Sequence, residues 1–166
     1  MANEMQPKGK TSPEEQEQNK AVVRRVLDAF NSGDTSIIDE VTDPNLVSHT
    51  PPPGVKPDKG GLKHQVDLLR GGFPDAKFEE ESLVADGDMV ILRWRMTGTH
   101  TGEYFFGSKP TGKKVTHVGH EFVRVKNGKI VEHRDSADPL VFMDKLGLLD
   151  ENMLGLMKKV GVRGYA

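Results

Sequence analysis

Apolar residues near the beginning of the chain recur at the spacing of one helix face, between positions 22 and 30. Ser12 precedes this segment as an N-cap, Pro13 occupies the first helical position, and Glu15 completes a capping box. Asn31-Ser32-Gly33 is typical of a helix end, because glycine readily adopts the left-handed conformation that closes a helix. The pattern therefore predicts a capped, amphipathic first helix between Ser12 and Gly33.

Two shorter helices and a proline-rich loop are predicted next. We expect helices over residues 35–41, capped by Asp34, and over residues 61–69, ended by two glycines and a proline. The stretch from Asp43 to Lys59 holds five of the ten prolines, so it is predicted as mostly loop. A short strand over residues 45–49 is the one regular element expected inside it.

From residue 77 onward the apolar side chains fall at every second position, which is typical of strands. The predicted strands span residues 77–85, 89–99, 114–126 and 129–136. In the second strand one face is apolar and consists of Val90, Leu92, Trp94 and Met96. Asn127-Gly128 joins the last two strands as a tight hairpin, and one or two short helices are expected after Asp138.

Helices followed by an antiparallel sheet predict an α+β fold with one core. The 166 residues suffice for one domain, which we place at residues 11–166. Residues 1–10 are polar and contain proline and glycine, so they are predicted as a disordered tail.

The composition argues against several classes of function. Charge is nearly balanced, with 23 Lys and Arg against 25 Asp and Glu, and no basic patch studded with aromatics marks a nucleic-acid partner. The absence of cysteine removes disulfides, thiolate metal sites and cysteine nucleophiles. No apolar run approaches the roughly 20 residues of a membrane span, and the N-terminus lacks the apolar core of a secretory signal. A cytoplasmic protein without membrane contact is therefore expected.

Titratable residues crowd the last two predicted strands, and the register of the hairpin decides which of them meet. With a two-residue turn, Lys126 pairs with Lys129 and His120 lies opposite Asp135. With a three-residue loop, Val125 pairs with Lys129 instead. Asp135 then shares a valine-lined face with residues 117, 119, 121 and 133. The sequence leaves both registers open.

Asp135 is the candidate general acid/base of this hairpin. A carboxylate walled by apolar side chains has a raised pKa and can exchange protons near neutral pH. Four neighbours are candidate catalytic supports for it, namely His117, His120, Glu121 and His133. A solvated salt-bridge cluster fits the same spacing. No metal site is expected, because strand alternation puts His117 and His120 on opposite faces.

Aromatic and polar residues elsewhere are candidates for the wall of a ligand pocket. Trp94 lies on the apolar face of its strand, with plain core packing as the alternative. His49 borders the proline-rich loop and lines either the pocket mouth or the surface. Tyr104, Phe105 and Phe106 lie in a glycine-rich excursion, where we expect a lid over an apolar ligand, with a subunit contact as the alternative.

Several segments of the chain resemble the SnoaL-like polyketide cyclases in order and spacing. Ala29-Phe30-Asn31-Ser32-Gly33 is similar to the end of their first helix. Residues 98–103, Gly107 and Pro110-Thr111-Gly112-Lys113 are similar to their central segment, and residues 128–135 with Leu146-Gly147 to their end. The resemblance covers about Asn19 to Leu149, which is most of the chain.

The resemblance implies the cone fold of the nuclear-transport-factor-2-like superfamily, in which a curved antiparallel sheet wraps around the N-terminal helices and encloses a pocket. It also implies that Asp135 matches the family's acid/base aspartate. Glu121, with His120 beside it, stands where characterised cyclases carry a supporting histidine. Phe30 replaces a helix-one tyrosine, and Gln65 lies near a helix-three asparagine.

The leading hypothesis is an enzyme that acts on an apolar, carbonyl-bearing small molecule, with Asp135 as acid/base and no metal or organic cofactor. Intramolecular aldol cyclisation of a polyketide is the reaction that the resemblance implies, and homodimerisation is its implied assembly. Isomerase, dehydratase and epoxide hydrolase chemistries are alternatives on the same fold. A binding or carrier module without chemistry and a dimerising scaffold are the alternatives from other classes.

Overall fold

The computed structural model describes residues 6–104, 107–153 and 155. The described helices are α1 (Pro13–Ser32), α2 (Ser36–Val41), α3 (Lys59–Gly72) and α4 (Pro139–Leu146). The strands are β1 (Thr42–Ser48), β2 (Lys77–Asp86), β3 (Met89–Thr99), β4 (Lys114–Lys126) and β5 (Lys129–Ala137). None of the helices in this part of the chain is long and apolar enough to cross a membrane.

The first helix has the caps that its sequence predicts. The Ser12 hydroxyl accepts a bond from the Glu15 backbone N–H at 3.1 Å, and Glu15 Oε2 accepts from the Ser12 N–H at 2.7 Å. At the other end Gly33 adopts φ 78° and donates its N–H to the Ala29 carbonyl at 2.8 Å. Backbone groups at both ends of α1 that lack a partner within the helix therefore form hydrogen bonds with nearby residues.

The third helix is longer than predicted, because two of its glycines are sites of close packing rather than helix ends. It begins after Asp58, whose Oδ1 accepts from the Gly61 N–H at 2.9 Å. A Cβ on Gly61 would lie 1.9 Å from the Lys56 carbonyl oxygen, and one on Gly72 would lie 2.7 Å from Cβ of Tyr104. Tertiary contacts thus compensate for the low helix propensity of glycine at these positions.

The strands form one curved, open sheet in the order β1-β5-β4-β3-β2. Strands β2 to β5 form the predicted antiparallel succession. Strand β1 pairs in parallel with β5, so the sheet is mixed where a purely antiparallel one was predicted. The predicted α+β fold, with a curved sheet around N-terminal helices, is confirmed. Strands β1 and β2 form the two edges of the sheet.

The hairpin between β4 and β5 follows neither of the two registers expected from the sequence. Its turn has two residues, with φ 50° at Asn127 and 71° at Gly128, and Lys126 pairs with Lys129. The register then shifts by one residue, so that Val131 is left as a bulge and Arg124 pairs with Glu132. Beyond the bulge Glu121 lies opposite Asp135, and not His120 as the two-residue turn alone would give. Asp135 therefore shares a face with residues 117, 119, 121 and 133, as expected for the other register.

The bulge decides which side chains of β5 face the inside of the sheet. Without it, Glu132 would lie opposite Val123 and Arg134 opposite Glu121, on the inner face. With it, His133 lies opposite Val123, and Glu132 turns to the outer face. There Glu132 Oε1 accepts from Nε of the fully buried Arg124 at 3.0 Å. A buried guanidinium requires such carboxylate partners, so this pair favours the bulged register.

Residues 6–10, part of the segment predicted as a disordered tail, lie against the β2–β3 turn. The Lys8 N–H donates to Asp88 Oδ1 at 2.9 Å, and the Gln6 carbonyl accepts from Arg124 Nη2 at 3.1 Å. Arg124 Nη1 also donates to Asp88 Oδ1 at 2.6 Å. The rest of that predicted tail, residues 1–5, lies outside the described residues.

The core fills the space between the concave face of the sheet and the helices. The predicted inner face of β3 is confirmed, since Val90, Leu92, Trp94 and Met96 are all at most 8 % exposed. Val23 and Leu27 of α1 and Leu62 and Val66 of α3 pack into the same cluster. The apolar packing stops short of filling the concavity, and a cavity remains there.

Candidate active site

A cavity of about 510 Å³ lies between the sheet and the helices. Strands β3, β4 and β5 form its floor, helices α1, α3 and α4 its sides, and residues 50–53 part of its rim. Four predicted pocket residues line it, namely Phe30, Gln65, Trp94 and Tyr104. Four predicted catalytic candidates also line it, namely His117, Glu121, His133 and Asp135.

Most of the cavity wall is apolar and aromatic. The Phe78 ring lies between those of Phe30, at 5.4 Å, and Trp94, at 5.3 Å. On the α4 side Phe142 contributes a ring 6.1 Å from Tyr104. Such a wall suits an apolar ligand.

Asp135 is held by Thr50, a residue that the sequence analysis did not identify. Its Oδ1 accepts a bond from the Thr50 hydroxyl at 2.8 Å, and its backbone N–H donates to the same hydroxyl oxygen at 2.8 Å. Thr50 follows the edge strand β1, which pairs with β5, so the parallel pairing brings two residues far apart in sequence together. Nothing local in the sequence around Thr50 indicates this contact.

Burial and a like-charged neighbour make Asp135 a stronger base than an exposed aspartate. Burial in the cavity raises the pKa of Asp135, and the charge of Glu121, directly across the strand pair, raises it further. The hydrogen bond from Thr50 and the charge of His133 lower the pKa, but the raising effects are larger. The pKa of Asp135 is thus raised, which is the direction that the sequence analysis predicted.

Glu121 is fixed between two donors on the cavity floor. Its Oε1 accepts from Trp94 Nε1 at 3.2 Å, and its Oε2 forms a hydrogen bond with Nε2 of His133. His133 in turn contacts the Ser48 hydroxyl through Nδ1 at 3.3 Å. Burial opposes the positive charge of the His133 ring, yet the charge and hydrogen bond of Glu121 prevail and raise the pKa of His133. The contact with Glu121 therefore favours the protonated form of the His133 ring.

His117 lines the cavity without contacting Asp135 or Glu121. Its ring stacks on that of Phe142 at 4.4 Å and meets the edge of Trp94 at 5.7 Å. Burial, aided by the charge of Lys145, lowers the pKa of His117 to about 4. His117 is therefore neutral at physiological pH, and the expectation that it supports Asp135 directly does not match this geometry.

Three other predicted site residues are not part of the described cavity wall. His120 points to the outer face, where its Nε2 lies 2.9 Å from Arg93 Nη1. His49 also turns away from the cavity and approaches Glu132 through Nε2 at 3.3 Å. Strand alternation explains His120, which lies one position from the inward-facing Glu121. Phe105 and Phe106, two of the three predicted lid residues, lie outside the described residues.

Tyr104 and Ser108 are the described residues of the loop excursion that line the cavity. Burial and the charge of Asp135 raise the pKa of Tyr104, so the phenol stays protonated and can donate a hydrogen bond. Its ring packs edge-on against Phe73 at 5.1 Å. Within residues 6–104, 107–153 and 155, no group of three or more His, Cys, Asp or Glu is arranged to hold a metal ion.

This arrangement is suited to proton transfer next to a carbonyl. Asp135 supplies a basic carboxylate in an apolar cavity, and Tyr104 supplies a neutral donor. The sequence model of the SnoaL-like polyketide cyclases matches residues 20–146, within the predicted span of Asn19 to Leu149. The chain belongs to this family.

Curated SnoaL-like relatives include two ester cyclases from Streptomyces. The aklanonic acid methyl ester cyclase DauD of Streptomyces sp. (strain C5) is 28% identical over 132 residues, covering 76% of this chain and 80% of DauD. The nogalonic acid methyl ester cyclase of Streptomyces nogalater is 28% identical over 115 residues, covering 68% of this chain and 85% of that enzyme. The predicted resemblance is confirmed.

Solved structures of SnoaL-like proteins share the fold. A Bacillus cereus ATCC 10987 protein, provisionally assigned as a polyketide cyclase, superimposes with a TM-score of 0.74 at 28% identity. The superposition covers 89% of this chain and 97% of the Bacillus protein. The cavity of this SnoaL-like chain therefore lies in an architecture common to the family's solved structures.

Proposed function

We propose that this protein cyclises the ester of an aromatic polyketide acid by intramolecular aldol condensation, with Asp135 as general acid/base. The observation that carries the proposal is the position of Asp135, a carboxyl of raised pKa inside an apolar cavity of a SnoaL-like chain. The curated relatives are named for methyl esters of aklanonic and nogalonic acids, which indicates the class of substrate.

In the proposed reaction the Asp135 carboxylate removes a proton from a carbon next to a substrate carbonyl. The resulting enolate attacks a second carbonyl of the same molecule, forming one C–C bond and turning that carbonyl oxygen into an alkoxide. Protonated Asp135 returns its proton to the alkoxide. The product is therefore an isomer of the substrate, and the carboxylate is regenerated without any co-reactant.

The neighbours of Asp135 have positioning roles in this proposal. Glu121, anchored by Trp94 and His133, places a negative charge opposite Asp135 and so increases its basicity. Thr50 fixes the orientation of the carboxyl through Oδ1. The protonated Tyr104 phenol, which lines the cavity, is a candidate donor to the enolate oxygen.

Replacement of Asp135 by asparagine tests the proposal. The Asp135→Asn side chain still accepts the Thr50 bond but cannot take up a proton, so turnover of aklanonic or nogalonic acid methyl ester should fall at least about 1000-fold. Chromatography with mass detection would follow a product of unchanged mass. Asp67→Asn, an exposed aspartate on α3, is the matched control and should retain full activity.

Two results would contradict the proposal. Equal turnover by the wild type and Asp135→Asn would remove the aspartate from the chemistry. Tight binding of both esters with recovery of unaltered ester from the wild type would instead identify a binding module that uses the same cavity.

A further inference from the structure

His117 has an unassigned position in the cavity, apart from the polar group around Asp135. It lies four residues before Glu121 on the same face of β4, which corresponds to about 14 Å along an extended strand. The Trp94 indole lies between them, over Gly119, where a Cβ would be 2.3 Å from Cζ2. The cavity therefore has two polar regions separated by one aromatic side chain.

The ring of His117 is firmly oriented but has unused hydrogen-bonding capacity. Phe142 stacks on one face at 4.4 Å and Trp94 meets the edge at 5.7 Å. Yet neither ring nitrogen has a hydrogen-bond partner in the stretches 6–104, 107–153 and 155. His133, in contrast, uses both nitrogens, on Ser48 and Glu121. His117 is only half-buried, and its nitrogens face the open cavity, so a ligand atom can supply the hydrogen-bond partner that the protein does not.

The electrostatics of this region favour a neutral partner. With a pKa of about 4, His117 presents one N–H donor and one lone pair near neutral pH. Among the described residues that line the cavity none is Lys or Arg, so an anionic group would find no cation in direct contact there. Lys145 and Asp138 are the charged side chains that influence His117 itself. A hydroxyl or carbonyl oxygen matches this environment.

We propose that His117 binds a hydroxyl or carbonyl oxygen at the end of the ligand remote from Asp135, which makes it a specificity-determining residue. The ligand is then an elongated, mostly apolar ring system with hydrogen-bonding oxygen near each end. The inference deepens the proposed function, since Asp135 defines the reacting end, but the His117 contact itself is one of binding.

Two probes that differ by one hydroxyl group test this contact, namely 2-hydroxyanthraquinone and anthraquinone. Trp94 is the only tryptophan of the chain and lies beside His117, so quenching of its fluorescence reports binding. One gained hydrogen bond of about 1–1.4 kcal/mol corresponds to a five- to tenfold preference of the wild type for the hydroxylated probe. Measurements at about pH 6 keep both His117 and the phenol neutral.

Two variants separate the hydrogen bond from the packing of the ring. His117→Phe keeps an aromatic ring against Phe142 but has no nitrogen, so it should bind the two probes equally. His117→Gln keeps a donor and an acceptor and should retain part of the preference, with folding of both variants checked by thermal melting. Asp135→Asn should keep the full preference, because this binding needs no proton transfer.

A preference for the hydroxylated probe that survives in His117→Phe would overturn the inference. So would a wild type that binds both probes equally well, or a wild type that binds neither probe. A preference lost in Asp135→Asn but kept in His117→Phe would place the hydroxyl at the other end of the cavity and overturn it as well. A protein without cyclase activity that still shows the His117-dependent preference would contradict the proposed function alone.

Discussion

Gly119 is the position where one added methyl group should disturb the candidate site most. It lies in β4 between His117 and Glu121, beneath the indole of Trp94. In Gly119→Ala the new Cβ would lie 2.3 Å from Cζ2 of Trp94 and 2.8 Å from Cε2 and Cη2. Since ordinary contacts begin at 3.4 Å, the indole must move by at least about 1 Å.

That movement has a cost because Trp94 is confined on its other sides. Phe78 packs at 5.3 Å between ring centroids, and the indole N–H is bonded to Glu121 at 3.2 Å. Overpacking typically costs about 1–3 kcal/mol, and a weakened bond to a carboxylate adds about 1 kcal/mol or more. At about 2–4 °C per kcal/mol for a chain of this size, we expect Tm to fall by about 4–16 °C.

Gly71→Ala is the matched control, with the same chemical change at an exposed site. Gly71 lies in α3, and a Cβ there meets nothing within 4 Å. Alanine is the better helix former, so this variant should be as stable as the wild type or up to about 1 kcal/mol more stable. Calorimetry gives Tm for both variants, and Trp94 fluorescence reports the displaced indole.

Equal stability of the two glycine variants would refute the reasoning, because it would mean that the indole does not lie over Gly119. Unchanged Trp94 fluorescence in Gly119→Ala, together with a lowered Tm, would likewise contradict the assigned contact. The lower stability would then have a source other than a displaced indole.

Other changes test the electrostatics of the site. Thr50→Val removes a bond that lowers the pKa of Asp135, so the acidic limb of the rate–pH profile should move to higher pH, whereas Glu121→Gln removes a like charge and should move it to lower pH. Because the folded-state pKa of Asp135 is raised, its stability contribution is present at acidic pH and lost as pH rises through that pKa. Asp135→Asn should therefore be more stable than the wild type at neutral pH and gain less at acidic pH, as urea unfolding would measure. Arg124→Met leaves the nearly buried Asp88 and the half-buried Glu132 without their cation and should cost up to about 3–5 kcal/mol by the same measurement.

The parts of the fold that depend on neighbouring residues follow from the sequence. The capping box at Ser12 and the alternation around Trp94 are local patterns, and both are confirmed. The sequence also predicts Asp135 and Glu121 in one cluster, because the alternation of side chains in two adjacent strands allows few arrangements of the hairpin. These features need no knowledge of residues distant in the chain.

The features that depend on distant residues were not predictable in this way. The parallel pairing of β1 with β5, and with it the bond from Thr50 to Asp135, joins segments 85 residues apart. The bulge at Val131 depends on the burial of Arg124. The sequence does not indicate this burial, because a charged residue in a strand does not by itself show whether it is buried. The proximity of Gly119 to Trp94 similarly depends on strand packing across β3 and β4.

The central claim is that Asp135 is a proton-transferring carboxyl because it is buried in an apolar cavity beside Glu121. A pH titration of the side-chain carboxyl carbons by ¹³C NMR measures this directly, with Asp135→Asn assigning the signal. We predict that Asp135 titrates above the ordinary aspartate value of 3.8, and that Glu121→Gln lowers its midpoint. A midpoint at or below 3.8 that Glu121→Gln leaves unchanged would contradict the account.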